Sequence, residues 1–344
     1  MSKTIRIGFI GAGGNTRAKH LPGFKAIPGI ELAAVCNRSK ASGEKVAAEF
    51  GIPVVAATAR QIIDSPNIDA VCIGTWPNLH GKLAVAALRA GKHVLTEARM
   101  ARNLAEAEMM LAEAKQNTHL VAQIVPAPMS LPFDAIIIEL LQKGAIGILR
   151  EVLMTCTTSG LADSAQPLSW RQDMTLNGKN TLAIGIFYEM VLRWLNRGVT
   201  GLVADAAIFT KERKDDEGVS WPTTIPESVT VLGNYADGAR LVGHFSGVEL
   251  TPPRSEIRLN GNMGALRLDL ARSELWLTRA GEAEKLVEIA PEIRGRWRVE
   301  EDFINSIRLS KPVVLTNFET GVRYMNFTEA VWESWSAFGQ RVTL

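Results

Sequence analysis

Ile5-Arg6-Ile7-Gly8-Phe9-Ile10-Gly11-Ala12-Gly13-Gly14-Asn15-Thr16 is the stretch that decides the fold. A short buried-type apolar run leads straight into clustered glycines, and a helical pattern follows. In that setting G-x-G-x-x-G/A forms the turn that receives a dinucleotide pyrophosphate. Gly11 permits the tight turn and Gly13 lets the backbone approach the phosphates. The third small position falls on Thr16, bulkier than the usual Gly or Ala. The phosphates would meet free N–H groups at a helix N-terminus, where the dipole favours negative charge. Gly11, Gly13, Gly14, Asn15 and Thr16 are therefore the expected pyrophosphate-binding residues; the alternative is a strand–helix turn with incidental glycines.

Outward from this stretch, strand-like runs recur at 31–36, 70–73, 93–95 and 120–124. Helical stretches at 16–27, 39–50, 58–64, 78–90 and 103–117 separate them. Such alternation predicts an α/β fold with a doubly wound parallel sheet and ligands at the carboxyl ends of its strands. After Pro126 and Pro128 the pattern changes. Helices are expected at 132–143, 179–196, 298–309 and 319–339, with a long strand at 149–157 and mostly alternating strands over 200–289. That predicts an α+β domain around an open, largely antiparallel sheet. The expected division is thus 1–124 for the dinucleotide and 125–344 for substrate and oligomerisation. The open sheet leaves a face to cover, so a homodimer or homotetramer through it is expected. KERKDDEG at 211–218 is expected as a solvated hairpin tip.

Composition bounds the partners. With 344 residues, 47% apolar, the chain can bury two cores. Its 38 basic and 36 acidic side chains leave a net charge of +2, which argues against nucleic acid. Cys36, Cys72 and Cys156 are widely spaced in apolar runs and suit buried thiols of a reducing compartment. No signal-peptide pattern or apolar run of membrane-spanning length occurs, so a cytoplasmic protein without a membrane partner is expected. His20, His80, His93, His119 and His244 lack ligand spacing, so no metal is expected. Neither a G-x-S-x-G elbow nor a P-loop lysine is present.

The position about 20 residues past the glycines discriminates cofactors, because an acid there takes the ribose hydroxyls of NAD. Here it is Asn37, followed by Arg38 and Ser39. Asn37 does not repel a 2′-phosphate, Arg38 can pair with one bidentately, and Ser39 can donate to it. NADP(H) is the expected cofactor. NAD(H) remains open if Arg38 instead stacks on adenine or lies on the surface.

The first domain carries IRIGFIGAGG, LPGFKAIPGIELAAVCNRS and IDAVCIGTWPNLHGKLAVAALRAGKHVLTEA (68–98). With KGAIGILREV (143–152) and GIFYEMVLRWL (185–195), it resembles the Gfo/Idh/MocA oxidoreductases over nearly its whole length. The resemblance implies a Rossmann domain followed by an α/β substrate domain. It also implies hydride exchange between a nicotinamide and a hydroxyl carbon of a sugar, inositol or related small molecule. Thr75, Trp76, Pro77, Asn78 and His80 would line the cleft after the fourth strand, and Glu97 would follow the fifth. The family's Glu-Lys-Pro signature falls on Glu97-Ala98-Arg99, and its Asp-x-Gly-x-His signature on residues 183–187. Ala98, Ala183 and Phe187 thus replace the usual Lys, Asp and His. A positioned acid–base group contributes roughly 10²–10⁴-fold, and neither Ala nor Phe transfers a proton. Lys179 and Asn180, on a helix face shared with Ala183, are the first substitute candidates, followed by His80 and Tyr188. Arg99, Trp170, Arg171 and Phe187 are candidate substrate contacts. Each has a bland alternative in core packing or surface ion pairs. A cofactor-binding sensor without turnover is the alternative function.

Overall fold

The computed structural model describes residues 4–344. The chain divides into two compact units. One runs to Pro126 and takes in Arg298–Val322; the other is Ala127–Trp297 with Arg323–Leu344.

The first unit holds six strands, β1 (Ile5–Ile10), β2 (Ile30–Cys36), β3 (Val54–Val55), β4 (Ala70–Ile73), β5 (His93–Thr96) and β6 (Ala122–Ile124). They pair in parallel in the order β3-β2-β1-β4-β5-β6. The order reverses between β1 and β4, which opens a crevice at their carboxyl ends. All four residues of β4 are buried, as a central strand covered on both faces requires. A π turn over Thr16–His20 runs into α1 (Leu21–Lys25), and α2 (Lys40–Phe50), α3 (Ala59–Ile63), α4 (Pro77–Arg89) and α5 (Leu104–Gln116) follow the later strands. Side chains mark their starts: Ser39 accepts from Ser42 N, Thr58 and Gln61 form a capping box, and Asn103 accepts from Glu106 N.

The second unit contains α6 (Asp134–Gln142), β7 (Leu149–Thr157), α7 (Met174–Asn177), α8 (Ile184–Leu195) and β8 (Gly201–Ala207). A separate hairpin pairs β9 (Glu212–Lys214) with β10 (Ser220–Pro222). The main sheet continues with β11 (Ser228–Asn234), β12 (Arg240–Ser246), β13 (Arg254–Gly261), β14 (Gly264–Asp269), β15 (Glu274–Arg279) and β16 (Lys285–Leu286). After α9 (Val299–Leu309) and α10 (Phe318–Ser336), β17 (Val342–Thr343) closes its edge. Its nine strands run β16-β15-β14-β13-β7-β12-β11-β8-β17, antiparallel except for the β7–β12 pair. In β11, Val229 and Val231 are buried while Thr230 and Leu232 are exposed, so one face is covered and the other is not.

Three local expectations need correction. The helix expected over 179–196 begins at Ile184, because Gly178 (φ +64°) and Leu182 (φ +47°) both leave the helical region. Lys179 and Asn180 therefore do not share a helix face with Ala183. The 211–218 segment does form a hairpin tip, but Arg213 within it is 2% exposed. Residues 298–322 pack with the first unit, where Phe303 of α9 meets Phe24 edge-on at 6.2 Å. No local pattern announces a contact between residues so far apart. Among the described residues, no helix is long and apolar enough to cross a membrane, and no group of His, Cys, Asp and Glu could hold a metal ion.

Candidate functional site

At the end of β1, Gly11 adopts φ +84° and donates its N–H to Cys36 O at 2.9 Å. A Cβ there would stand 2.8 Å from Thr75 N and 2.9 Å from Gly74 C, so only glycine fits. Around Gly13 and Gly14 the position is reversed. The nearest atom to a Cβ on Gly13 is 4.0 Å away, and nothing lies within 4 Å of one on Gly14. The turn is an open cradle of backbone. Arg17 N donates to Gly13 O at 2.9 Å and Gly13 N to Gly11 O at 2.9 Å, which leaves the N–H groups of Gly14, Asn15 and Thr16 without an acceptor inside the helix. Thr16 is tolerated because Gly74 faces it: a side chain on Gly74 would collide with Thr16 Oγ1 and Gly11 O. Close helix–strand packing is thus achieved from the strand side. The turn has the shape and the donors that a pyrophosphate needs.

The residues after β2 and β4 frame this cradle. Asn37 Oδ1 accepts from Ala12 N at 2.7 Å, and its Nδ2 donates to Ser42 Oγ at 2.9 Å. Asn37, expected at the ribose, is engaged in holding the turn. The Arg38 guanidinium carbon lies 5.8 Å from the Trp76 ring centre, and Ser39 serves as the α2 cap. Thr75 Oγ1 donates to Trp76 O at 3.2 Å, Pro77 opens α4 and Asn78 is half-buried. His80 is fully buried; its Nδ1 is 2.9 Å from Arg99 O and its Nε2 3.0 Å from Thr75 O. It ties the loop after β4 to the loop after β5. Burial pushes its pKa down despite both carbonyls. Both ring nitrogens thus face backbone carbonyls and the ring is buried. The half-buried Arg99 follows a cis Ala98–Arg99 peptide.

Sequence reasoning missed His20, which carried no spacing signal. Its Nδ1 lies 2.5 Å from Glu300 Oε1 of α9 and its Nε2 3.0 Å from Glu97 Oε1, with the ring fully buried. Asn15 Nδ2 donates to the same Glu97 oxygen. Desolvation alone would lower the His20 pKa, but the two carboxylates outweigh it and raise it to about 9. Desolvation likewise pushes Glu97 up, yet His20 and Asn15 hold its pKa below the usual value. Glu97 is accordingly a poor proton acceptor.

In the second unit, Lys179 forms an ion pair with Glu329, and its carbonyl accepts from Trp332 Nε1 at 2.6 Å. Asn180 is fully buried and donates to Asn177 O at 2.7 Å. Tyr188 stacks on Phe327 with ring centres 3.7 Å apart, and its hydroxyl accepts from Val199 N at 2.9 Å. Burial pushes that phenol up to about 12. Phe187 is 1% exposed and meets Phe245 edge-on at 5.6 Å. Phe187 and Tyr188, expected near substrate, are core residues. Arg171 stacks on Trp170 at 4.4 Å.

Comparison with known proteins agrees with this geometry. A model of the oxidoreductase family with an NAD-binding Rossmann fold matches residues 5–124, and the GFO/IDH/MocA C-terminal domain matches 136–267. The chain belongs to the Gfo/Idh/MocA family. It is 27% identical over 260 residues to levoglucosan dehydrogenase of Pseudarthrobacter phenanthrenivorans, spanning 69% of this chain and 66% of that relative, just under two thirds. It is 25% identical to the dTDP-3,4-didehydro-2,6-dideoxy-alpha-D-glucose 3-reductase of Streptomyces antibioticus, over 96% of this chain and 97% of that one. A structure of levoglucosan dehydrogenase with NADH and L-sorbose superposes with a TM-score of 0.89 at 22% identity, covering 99% of this chain and 98% of that one. At 17% identity, an inositol dehydrogenase homologue from Azotobacter vinelandii, in complex with NAD+, gives 0.84 over 99% and 98%. At these identities the structures speak to the fold.

Proposed function

We propose that this protein is an NAD(P)-dependent oxidoreductase acting by hydride transfer on a sugar, inositol or related small hydroxy or carbonyl compound. The observation that carries the proposal is the open backbone cradle at Gly13 and Gly14, set where the strand order reverses. When bound, the nicotinamide dinucleotide supplies the hydride acceptor or donor. The chain's own residues do the rest. Backbone N–H groups at the helix start bind the pyrophosphate. Arg38 and Ser39 receive a 2′-phosphate, which favours NADP(H), and Trp76 walls the cleft beside Arg38. Ala98, Ala183 and Phe187 hold no transferable proton, so proton movement passes to other groups. Lys179 comes first among them: it is partly exposed, and its ammonium already sits against Glu329.

Titration of NADPH and NADH, followed by nicotinamide fluorescence, tests the cofactor assignment, with NADPH expected to bind more tightly. Absence of binding of either at millimolar concentration would overturn it. Label exchange at nicotinamide C4 with a panel of polyols and their ketones tests turnover. One observation favours a second reading, a dinucleotide-binding sensor: Phe187, at the family's proton-acceptor position, is absorbed into packing against Phe245. Binding without exchange would select it.

We also propose pairing of chains through the uncovered sheet face, as a homodimer or homotetramer, in a reducing cytoplasmic setting that suits the free thiols Cys36 and Cys72. Val203, Leu232, Val242 and Leu153 stand side by side there in register across four strands.

A further inference from the structure

We propose that His20 is a positioning residue for the dinucleotide turn. Clamped between Glu300 and Glu97, its charged ring fixes the Glu97 carboxylate as the anchor for Asn15, and through Asn15 the helix start that follows Gly13 and Gly14. The proposal rests on the assignment of that turn as a pyrophosphate cradle.

The ring is fully buried, with Glu300 Oε1 2.5 Å from one nitrogen and Glu97 Oε1 3.0 Å from the other. Carboxylates only accept, so both nitrogens must carry protons. A neutral ring would satisfy one partner and turn a lone pair on the other. Glu97 Oε1 takes two donors, His20 Nε2 and Asn15 Nδ2. Its own backbone is pinned to the end of β4, where Glu97 N donates to Ile73 O at 2.9 Å. The Glu97 carboxylate therefore links three segments: the glycine turn, the π turn carrying His20, and the loop after β5. Glu300 reaches the ring because α1 presents Gly23 to it; a Cβ there would stand 2.7 Å from Glu300 Oε2.

Charged and titratable groups surround the His20–Glu97–Glu300 cluster on several elements. Glu300 faces it from α9 and Glu97 from the loop after β5. Cys72 on β4 is a thiol pushed well up by burial and by the fields of both carboxylates. His80 on α4 has its pKa lowered by burial. His20, raised to about 9, is the member of this set that loses charge between neutral and pH 10. With the remaining proton kept on Nδ1, toward the nearer Glu300, its deprotonation frees Glu97 from one of its two donors, and Asn15 loses a fixed anchor.

The test is the dissociation constant of NADPH and of NADH from pH 6.5 to 10, for the natural protein and for Asn15→Ala and His20→Gln. Affinity is expected to be level to about pH 8 and to weaken about tenfold by pH 10, the scale of one hydrogen bond. The loss should be equal for both dinucleotides, since the turn is common to them. Asn15→Ala alters an exposed side chain and keeps the fold. It should bind about tenfold more weakly at pH 7.5 and lose the step near pH 9, as should His20→Gln. A cluster that only holds α9 in place would change unfolding and leave these profiles alone. A level natural profile through pH 9, or an undiminished step in Asn15→Ala, overturns the proposal. No binding by the natural protein at pH 7.5 would instead overturn the assignment of the turn, and this proposal with it.

Discussion

Glycines at one turn do different work, and the difference is measurable. Gly11 combines positive φ with backbone atoms of Gly74 and Thr75 within 3 Å of a Cβ. Gly11→Ala should destabilise by about 3 kcal/mol, from strained backbone plus overpacking, as read from the urea midpoint of the first unit. Gly14→Ala, facing open space, should change stability by under about 1 kcal/mol while weakening dinucleotide binding. Arg38 is argued at the same scale. Arg38→Ala should weaken NADPH by tenfold or more, corresponding to a charge-assisted contact of about 1.5–3 kcal/mol, and NADH far less. Equal losses would remove the preference for NADP(H).

Elements are decided partly by what they bury. Arg213 lies in a charge run that by itself suits a solvated tip. Yet its side chain and that of Glu227 are both 0% exposed, 2.8 Å apart. Arg213 also donates to Leu161 O, Asp163 O and Gln166 O, and Glu227 accepts from Phe209 N and Thr210 N. The β9–β10 hairpin is thereby tied to the 161–166 loop. Arg213→Met should cost about 3–5 kcal/mol in chemical unfolding, because Glu227 is left buried without its cation. Replacing both partners by apolar residues should cost less. At α8, glycine and a positive-φ leucine outweigh the apolar periodicity that made the helix look five residues longer.

Across the whole molecule, buried charge makes stability depend on pH. His20 titrates near 9 when folded and near 6.5 when unfolded, so its stabilisation is complete below about pH 6.5 and is lost as pH rises through 9. The full effect is about 3 kcal/mol. Glu97, whose folded pKa is depressed, contributes at every pH in that window and adds no slope. The urea midpoint of the first unit should therefore fall between pH 6.5 and 9.5, and His20→Gln should flatten the fall. The uncovered sheet face belongs to this scale too. Leu232 on it is 39% exposed, and Leu232→Glu should shift the mass in sedimentation toward the single chain. A natural protein that already sediments as a monomer would refute the pairing.

The order of strands and helices, the glycine turn and the absence of an acid after β2 could all be read from residue types, because they follow from local periodicity and backbone freedom. The family signatures made Glu97 visible in the same way. Partners were another matter. That Thr16 fits because Gly74 lacks a side chain, that Asn37 turns to Ala12 and Ser42, and that Phe187 packs against Phe245 depend on which segments the fold brings together. His20 and Glu300 lie 280 positions apart in sequence and 2.5 Å apart in space. A side chain's chemistry is written in the chain, but its charge state is set by its neighbours, and only the tertiary structure supplies those.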